Sequence, residues 1–115
     1  MKNDRDKVHL LDILGAAKLA VGHTGNRTKE EFLADIQCQD AVIRRIMIMG
    51  EAANRVSVET KAELPLHWGD MVGMRNLLIH EYDDVDMTVV WKTIKEDLPP
   101  LIAELEKILP PAKKL

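Results

Sequence analysis

Reactive or strongly polar side chains crowd into one short segment, Arg75-Asn76-Leu77-Leu78-Ile79-His80-Glu81-Tyr82. His80 carries a ring whose ordinary pKa of about 6.5 lies near working pH, so it can accept or donate a proton in a reaction. Arg75 can hold a phosphate and stabilise charge that grows on its oxygens in a transition state. Tyr82 can position a substrate or donate a proton. Together these groups suit metal-free cleavage of a phosphodiester, with an RNA 2′-hydroxyl attacking its own phosphate.

An α-helix advances about 100° per residue, and this sorts the segment. Asn76 and His80 are four apart, about 40° around the helix, so the amide can hydrogen-bond and orient the ring. Arg75 and Tyr82, seven apart, share nearly the same face. Arg75 and His80 stand about 140° apart and do not converge on one ideal helix. Structural roles compete with chemical ones: Arg75 can pair with Asp83 or Glu51, His80 can complement the negative end of the helix dipole, and Tyr82 can pack on the rest of the fold.

The other polar residues give weaker signals. His9 and His23 fall on the first helix and its exit, and His67 beside Trp68 reads as partly buried surface. His67, His80 and Glu51 lack metal-ligand spacing, so neither a metal nor a cofactor is expected. Arg44-Arg45 with Arg55 form either a basic strip or a solvated face, and Met47 and Met49 read as core filler.

A fold must position these groups, and the composition favours helices. Of 115 residues, 46% are hydrophobic and only 3% aromatic, so the core is built from aliphatic side chains. The length suits one domain, residues 1–115. The net charge of −3 and the lack of an arginine-rich run confine any nucleic-acid contact to one or a few phosphates. The single cysteine, Cys38, excludes an intrachain disulfide. The charged N-terminus, and the absence of any apolar stretch near the ~18 residues of a membrane span, point to a cytoplasmic protein without a membrane segment.

Helical periodicity and capping signals divide the chain. A first helix is expected from Asn3 or Asp4 to a stop at Gly22–Gly25. Thr28 and Glu31 form a capping box for a short helix, followed by a bend near Gln37–Gln39. The longest pattern runs from Asp40 to Val58 and predicts the central helix. Gly50 inside it costs roughly 1 kcal/mol against Ala, which close approach by another helix would offset. Leu64-Pro65-Leu66 opens the next helix, with Pro65 in its first turn, continuing to about Tyr82. Asp86 caps a fourth helix and Asp97 a last one, with Pro99 and Pro100 in its first turn. That helix ends at Pro110-Pro111, and the tail 112–115 is expected to fray. The result is an all-α, four- to five-helix, up-and-down antiparallel bundle.

The segment matches the pattern Arg-x-x-x-x-His-x-Tyr and resembles that of HepT-like ribonuclease toxins in the HEPN superfamily. Glu31-Phe32, Gln39-Asp40-Ala41-Val42-Ile43-Arg44-Arg45, Gly50-Glu51-Ala52-Ala53, His67-Trp68, Gly73-Met74-Arg75-Asn76 and Asp97-Leu98-Pro99 resemble the family in the same order, across nearly the whole chain. The resemblance implies a HEPN-like bundle that forms a homodimer, with Arg75 and His80 from both subunits meeting in a cleft. A two-fold axis would join side chains that one helix keeps apart. It also implies a metal-independent endoribonuclease acting on RNA, the toxin of a toxin–antitoxin pair, with Asn76 and Glu51 supporting or orienting the catalytic groups. The implied partner is a minimal nucleotidyltransferase antitoxin that transfers AMP to Tyr82. The acidic run Glu81, Asp83, Asp84 and Asp86 keeps a second function open, a non-catalytic HEPN-like dimer that binds a nucleotide or a regulatory protein.

Overall fold

Apolar residues recurring every three or four positions build four long helices: α1 (Asp4–Thr24), α3 (Ile36–Arg55), α5 (Trp68–His80) and α7 (Leu98–Ile108). Short helices α2 (Lys29–Leu33), α4 (Val58–Glu63) and α6 (Met87–Lys92) join them. This computed structural model describes residues 4–109, with Tyr82 described in its backbone alone. Expectations for Asn3 as a cap, for the stop at Pro110-Pro111 and for the 112–115 tail fall outside those residues. Among the described residues there is no strand, and the all-α bundle expected from the sequence is the fold observed. No described helix is long and apolar enough to cross a membrane.

α3 is the central helix, packed on α1 along one flank and on α5 along the other, while α7 lies against α1. The principal extents of 44 × 34 × 21 Å make the molecule about two helix diameters thick. Leu10, Ile13, Val42, Ile46, Leu78 and Leu105 are fully buried in the shared core. Each contributes roughly 1.5–3 kcal/mol through removal of its side chain from water.

The local signals for the first half of the chain are met. Gly25 ends α1 in the left-handed region, at φ +52°. Thr28 and Glu31 form the reciprocal capping box on α2. α3, however, starts at Ile36 without a bend at Gln37–Gln39. The Asp35 carboxylate caps it by accepting from the Cys38 N–H at 3.0 Å. Gln39 is polar there for a reason: its amide donates to the carbonyls of Phe32 and Leu33 at 2.9 and 3.1 Å, closing the end of α2.

Three boundaries in the second half differ from expectation. α3 stops at Arg55 rather than Val58, and Ser57 caps the unexpected α4 by accepting from the Thr60 N–H. α4 has no apolar period of its own. It is held instead by Asp6 of α1, which is 1% exposed and accepts from the Ser57 N–H at 3.0 Å and from both the Ser57 and Thr60 hydroxyls at 2.5 Å. These donors hold the Asp6 carboxyl below its usual pKa, the Ser57 hydroxyl foremost, against the opposing effect of burial. Pro65 lies outside α5, in an extended link where Leu66 N–H donates to Leu64 O and Trp68 N–H to Leu66 O. The Trp68 indole N–H also returns to Leu64 O at 3.0 Å, which fixes where α5 begins.

The third difference concerns Asp97. Asp86 caps α6 as expected, but Asp97 makes no side-chain cap. α6 and α7 are joined by a π turn, Thr93–Asp97, so the chain stays helical from Met87 to Ile108. Pro99 and Pro100 lack the N–H groups an α-helix would use there. The wider turn, in which Leu98 N–H reaches back to Thr93 O, absorbs that loss without ending the helix.

Candidate active site

The position of Arg75 is set by a missing side chain on the neighbouring helix. Gly50 of α3 faces α5 so closely that an added Cβ would lie 2.7 Å from the Met71 carbonyl oxygen and 3.0 Å from Arg75 Cγ. The close approach expected from a glycine inside a helix is therefore present. It places Arg75 directly beside the next residue of α3, Glu51. Arg75 Nε donates to Glu51 Oε2 at 2.8 Å, and Nη2 lies 2.6 Å from the same oxygen. Of the two acidic partners open in the sequence, Asp83 and Glu51, the chain uses Glu51.

Asn76 braces the same guanidinium. Its side-chain oxygen accepts from Arg75 Nη1 at 2.7 Å. Asn76 therefore serves Arg75 here, and the expected bond from the amide to His80 is not made. Glu51 and Asn76 hold three nitrogens of Arg75 on two sides, leaving the half-buried side chain oriented in one plane.

His80 occupies the last position of α5 and is exposed. Among the described residues it makes no hydrogen bond or ion pair. No bond joins it to Arg75, in keeping with the turn of about 140° between positions five apart on one helix. Ile79, 41% exposed, stands between them on the helix surface. Beyond His80, Glu81 N–H closes the helix on Leu77 O, and a 3₁₀ turn, Tyr82–Asp84, leads away with Asp83 and Asp84 exposed. The Tyr82 side chain lies outside the described residues.

The remaining sequence candidates separate from this cluster. His67 is not partly buried: its side chain is 90% exposed and lies 3.8 Å from the Asp70 carboxylate. No group of three or more His, Cys, Asp or Glu side chains converges as a metal site among the described residues. Met49 is buried in the core, as expected, and Met47 packs against it. Arg55 lies 3.7 Å from Glu51 Oε1, so Glu51 stands between Arg55 and Arg75. A cavity of about 750 Å³ lies on the other flank of α5, between Met74, Leu77, Thr93 and Leu101. Neither Arg75 nor His80 lines it, so volume alone would point away from the polar cluster.

His9 and Asp12 were missed as neighbours of this site. They lie one helical turn apart on α1 and border a small pocket with Glu51 and Arg55. Their i, i+3 spacing on one face of α1 was the available signal, but only the packing of α1 on α3 brings it next to Glu51.

A family model described as Ribonuclease HepT-like matches residues 13–108 of the chain. The "Probable ribonuclease HepT" of Thermococcus cleftensis is 42% identical over 103 residues, covering 89% of this chain and 94% of that protein. A candidate RNase of Methanocaldococcus jannaschii is 37% identical over 101 residues, covering 87% of this chain and 93% of the relative. Another protein of that organism, described as a gamma-glutamylcyclotransferase and candidate RNase, is 36% identical over 104 residues, which cover 90% of this chain and 47% of the relative. No solved structure matches significantly.

Proposed function

This chain belongs to the HepT-like ribonuclease family, and we propose that it is a metal-independent endoribonuclease, the toxin of a toxin–antitoxin pair, with Arg75 and His80 meeting in the cleft of a homodimer. The observation that carries the reading is the contrast between the two side chains. Arg75 is fixed by Glu51 and Asn76, whereas His80, on the same helix end, is exposed and has no hydrogen-bond or ion-pair partner among the described residues. A two-fold axis near Ile79 would cover its exposed apolar surface and bring Arg75 of one protomer toward His80 of the other.

In such a cleft Arg75 binds a non-bridging oxygen of the scissile phosphate and stabilises the added charge as phosphorus becomes five-coordinate. The 2′-oxygen bonds to phosphorus while the bond from phosphorus to the 5′-oxygen breaks. His80 takes the 2′-hydroxyl proton or returns one to the leaving oxygen. The products are a 2′,3′-cyclic phosphate and a 5′-hydroxyl.

The antitoxin in this reading is a minimal nucleotidyltransferase that meets the toxin in the cytoplasm. Exposed Glu81, Asp83, Asp84 and Asp86, together with a net charge of −3, suit a basic docking surface on that partner. Its reaction places AMP on Tyr82: the phenol oxygen attacks the α-phosphorus of ATP, pyrophosphate leaves, and the phenol proton passes to a base. The second reading, a non-catalytic dimer that binds a nucleotide or a regulatory protein, is favoured by one observation: Glu51 already occupies two nitrogens of Arg75.

Purified wild type, Arg75→Ala and His80→Ala, each checked for helical content, decide between them. The expected result is RNA cleavage by wild type, unaffected by EDTA, with a loss of 100-fold or more in each variant. Sedimentation at micromolar concentration should show a dimer. Equal growth of cells expressing wild type or His80→Ala, or activity lost in EDTA and restored by a divalent ion, would overturn the proposal.

A further inference from the structure

On the side of Glu51 away from Arg75, α1 and α3 border an open pocket of about 120 Å³ lined by His9, Asp12, Ile48, Glu51, Ala52 and Arg55. Its construction is asymmetric. Ile48 and Ala52, one turn apart on α3, give it an apolar floor. Asp12 stands at its rim, exposed, with no hydrogen bond or ion pair among the described residues. Arg55 is held only loosely: its Nη2 lies 3.7 Å from Glu51 Oε1, beyond a hydrogen bond, and its side chain is 63% exposed. His9 is half-buried beside them. Glu51 is the shared wall, with Oε2 engaged by Arg75 and Oε1 turned toward Arg55.

The geometry points to a base-binding subsite for guanine, contiguous through Glu51 with the phosphate-binding Arg75. An apolar floor suits the face of a flat heterocycle, and the rim then meets its edge. An ionised carboxylate is an acceptor alone, so it pairs best with a base that offers two donors side by side. Guanine does so through its N1–H and its 2-amino group. Adenine and cytosine place a ring acceptor beside their amino group, and uracil flanks its single N–H with two carbonyls, which a carboxylate repels. The guanine O6 and N7 acceptors match a guanidinium, here the loosely held Arg55. Single-stranded RNA exposes these base edges, so such a pocket would select a guanosine next to the scissile phosphate. This selection rests on the ribonuclease reading, while binding of the base does not.

The test uses the full-length protein and the four 5′-nucleoside monophosphates as probes. His9 ring resonances are followed by NMR titration for wild type and Asp12→Asn, whose exposed position leaves the fold intact. GMP should shift the His9 signals and bind on the order of tenfold tighter than AMP, CMP or UMP, the scale of a two-point base contact. Asp12→Asn should bring the four nucleotides to nearly equal affinity. Mapping of cleavage ends on a mixed-sequence RNA should show guanosine beside the cut in wild type, with the ratio of guanosine to other sites falling in Asp12→Asn. Equal binding of all four nucleotides by wild type, or guanine preference retained in Asp12→Asn, overturns the subsite. Selective GMP binding without any RNA cleavage supports the subsite and counts against the ribonuclease reading alone.

Discussion

Glu51 on α3 gathers Arg75 of α5 onto a single carboxylate oxygen, with Nε at 2.8 Å and Nη2 at 2.6 Å. The carboxylate is 41% exposed, and a pair this open to water is worth only about 0–1 kcal/mol. Its importance is therefore orientation. Asn76 holds the same guanidinium from the other side, so the two partners fix a plane rather than merely neutralise a charge.

Replacement of Glu51 by Gln should accordingly separate stability from activity. The amide keeps one acceptor for Arg75 but removes the charge that fixes it. Thermal unfolding should change little, within about 1 kcal/mol. RNA cleavage should fall by about tenfold or more, since a misplaced catalytic group loses its alignment with the transition state. A variant with unchanged cleavage would show that Arg75 needs no orientation from Glu51.

Gly50 should tolerate no side chain. In Gly50→Ala the new methyl group would lie 2.7 Å from the Met71 carbonyl oxygen, a backbone atom that cannot turn aside. α5 must move away from α3, and overpacking of this kind costs about 1–3 kcal/mol. Chemical denaturation should show that loss, together with a drop in cleavage as Arg75 shifts. Wild-type stability in this variant would mean that the helices separate more easily than their contact suggests.

Buried Asp6 predicts an acid-sensitive element. Its carboxyl pKa is lowered in the folded state by the Ser57 hydroxyl, the Thr60 hydroxyl and the Ser57 N–H. A lowered folded pKa contributes stability that is present above the unfolded value of about 3.9 and lost as pH falls through the folded value. Asp6→Asn removes an acceptor from hydroxyls buried against it, at a cost of about 1–3 kcal/mol near pH 7. Urea unfolding of both proteins should show that gap at neutral pH and a narrowing below pH 4. A gap that persists unchanged to pH 2 would rule out the ionised carboxylate as its source.

The elements that could be read from the sequence are those specified by neighbouring residues. Thr28 and Glu31 announce α2 within one turn of chain, Gly25 ends α1, and Asp86 starts α6. α4 could not be read this way, because Ser57 and Thr60 depend on Asp6, 51 and 54 residues away. Pro65 and Asp97 carried valid local signals that tertiary packing overrode, through the Trp68 indole bond to Leu64 and the π turn before Pro99. In the site, Arg75 and His80 were visible as a motif and Glu51 as one of two possible partners. Asn76 was assigned to the wrong neighbour, because helix spacing allows both His80 and Arg75 while only the packed geometry selects between them.

Tyr82 should be the point of control. It begins the 3₁₀ turn that follows α5, two residues after His80 and seven after Arg75. AMP on its hydroxyl would carry a phosphate and a base into the region where, in the proposed mechanism, Arg75 receives the substrate phosphate. The modification would compete for the same cation and obstruct RNA entry. Intact mass after co-expression with an adjacent nucleotidyltransferase gene should rise by whole AMP units, and the modified protein should lose cleavage. Tyr82→Phe should stay at its own unmodified mass and remain toxic in the presence of the antitoxin. An unchanged mass of the wild type beside an active nucleotidyltransferase, or an AMP-sized increase that persists in Tyr82→Phe, would exclude this residue as the switch.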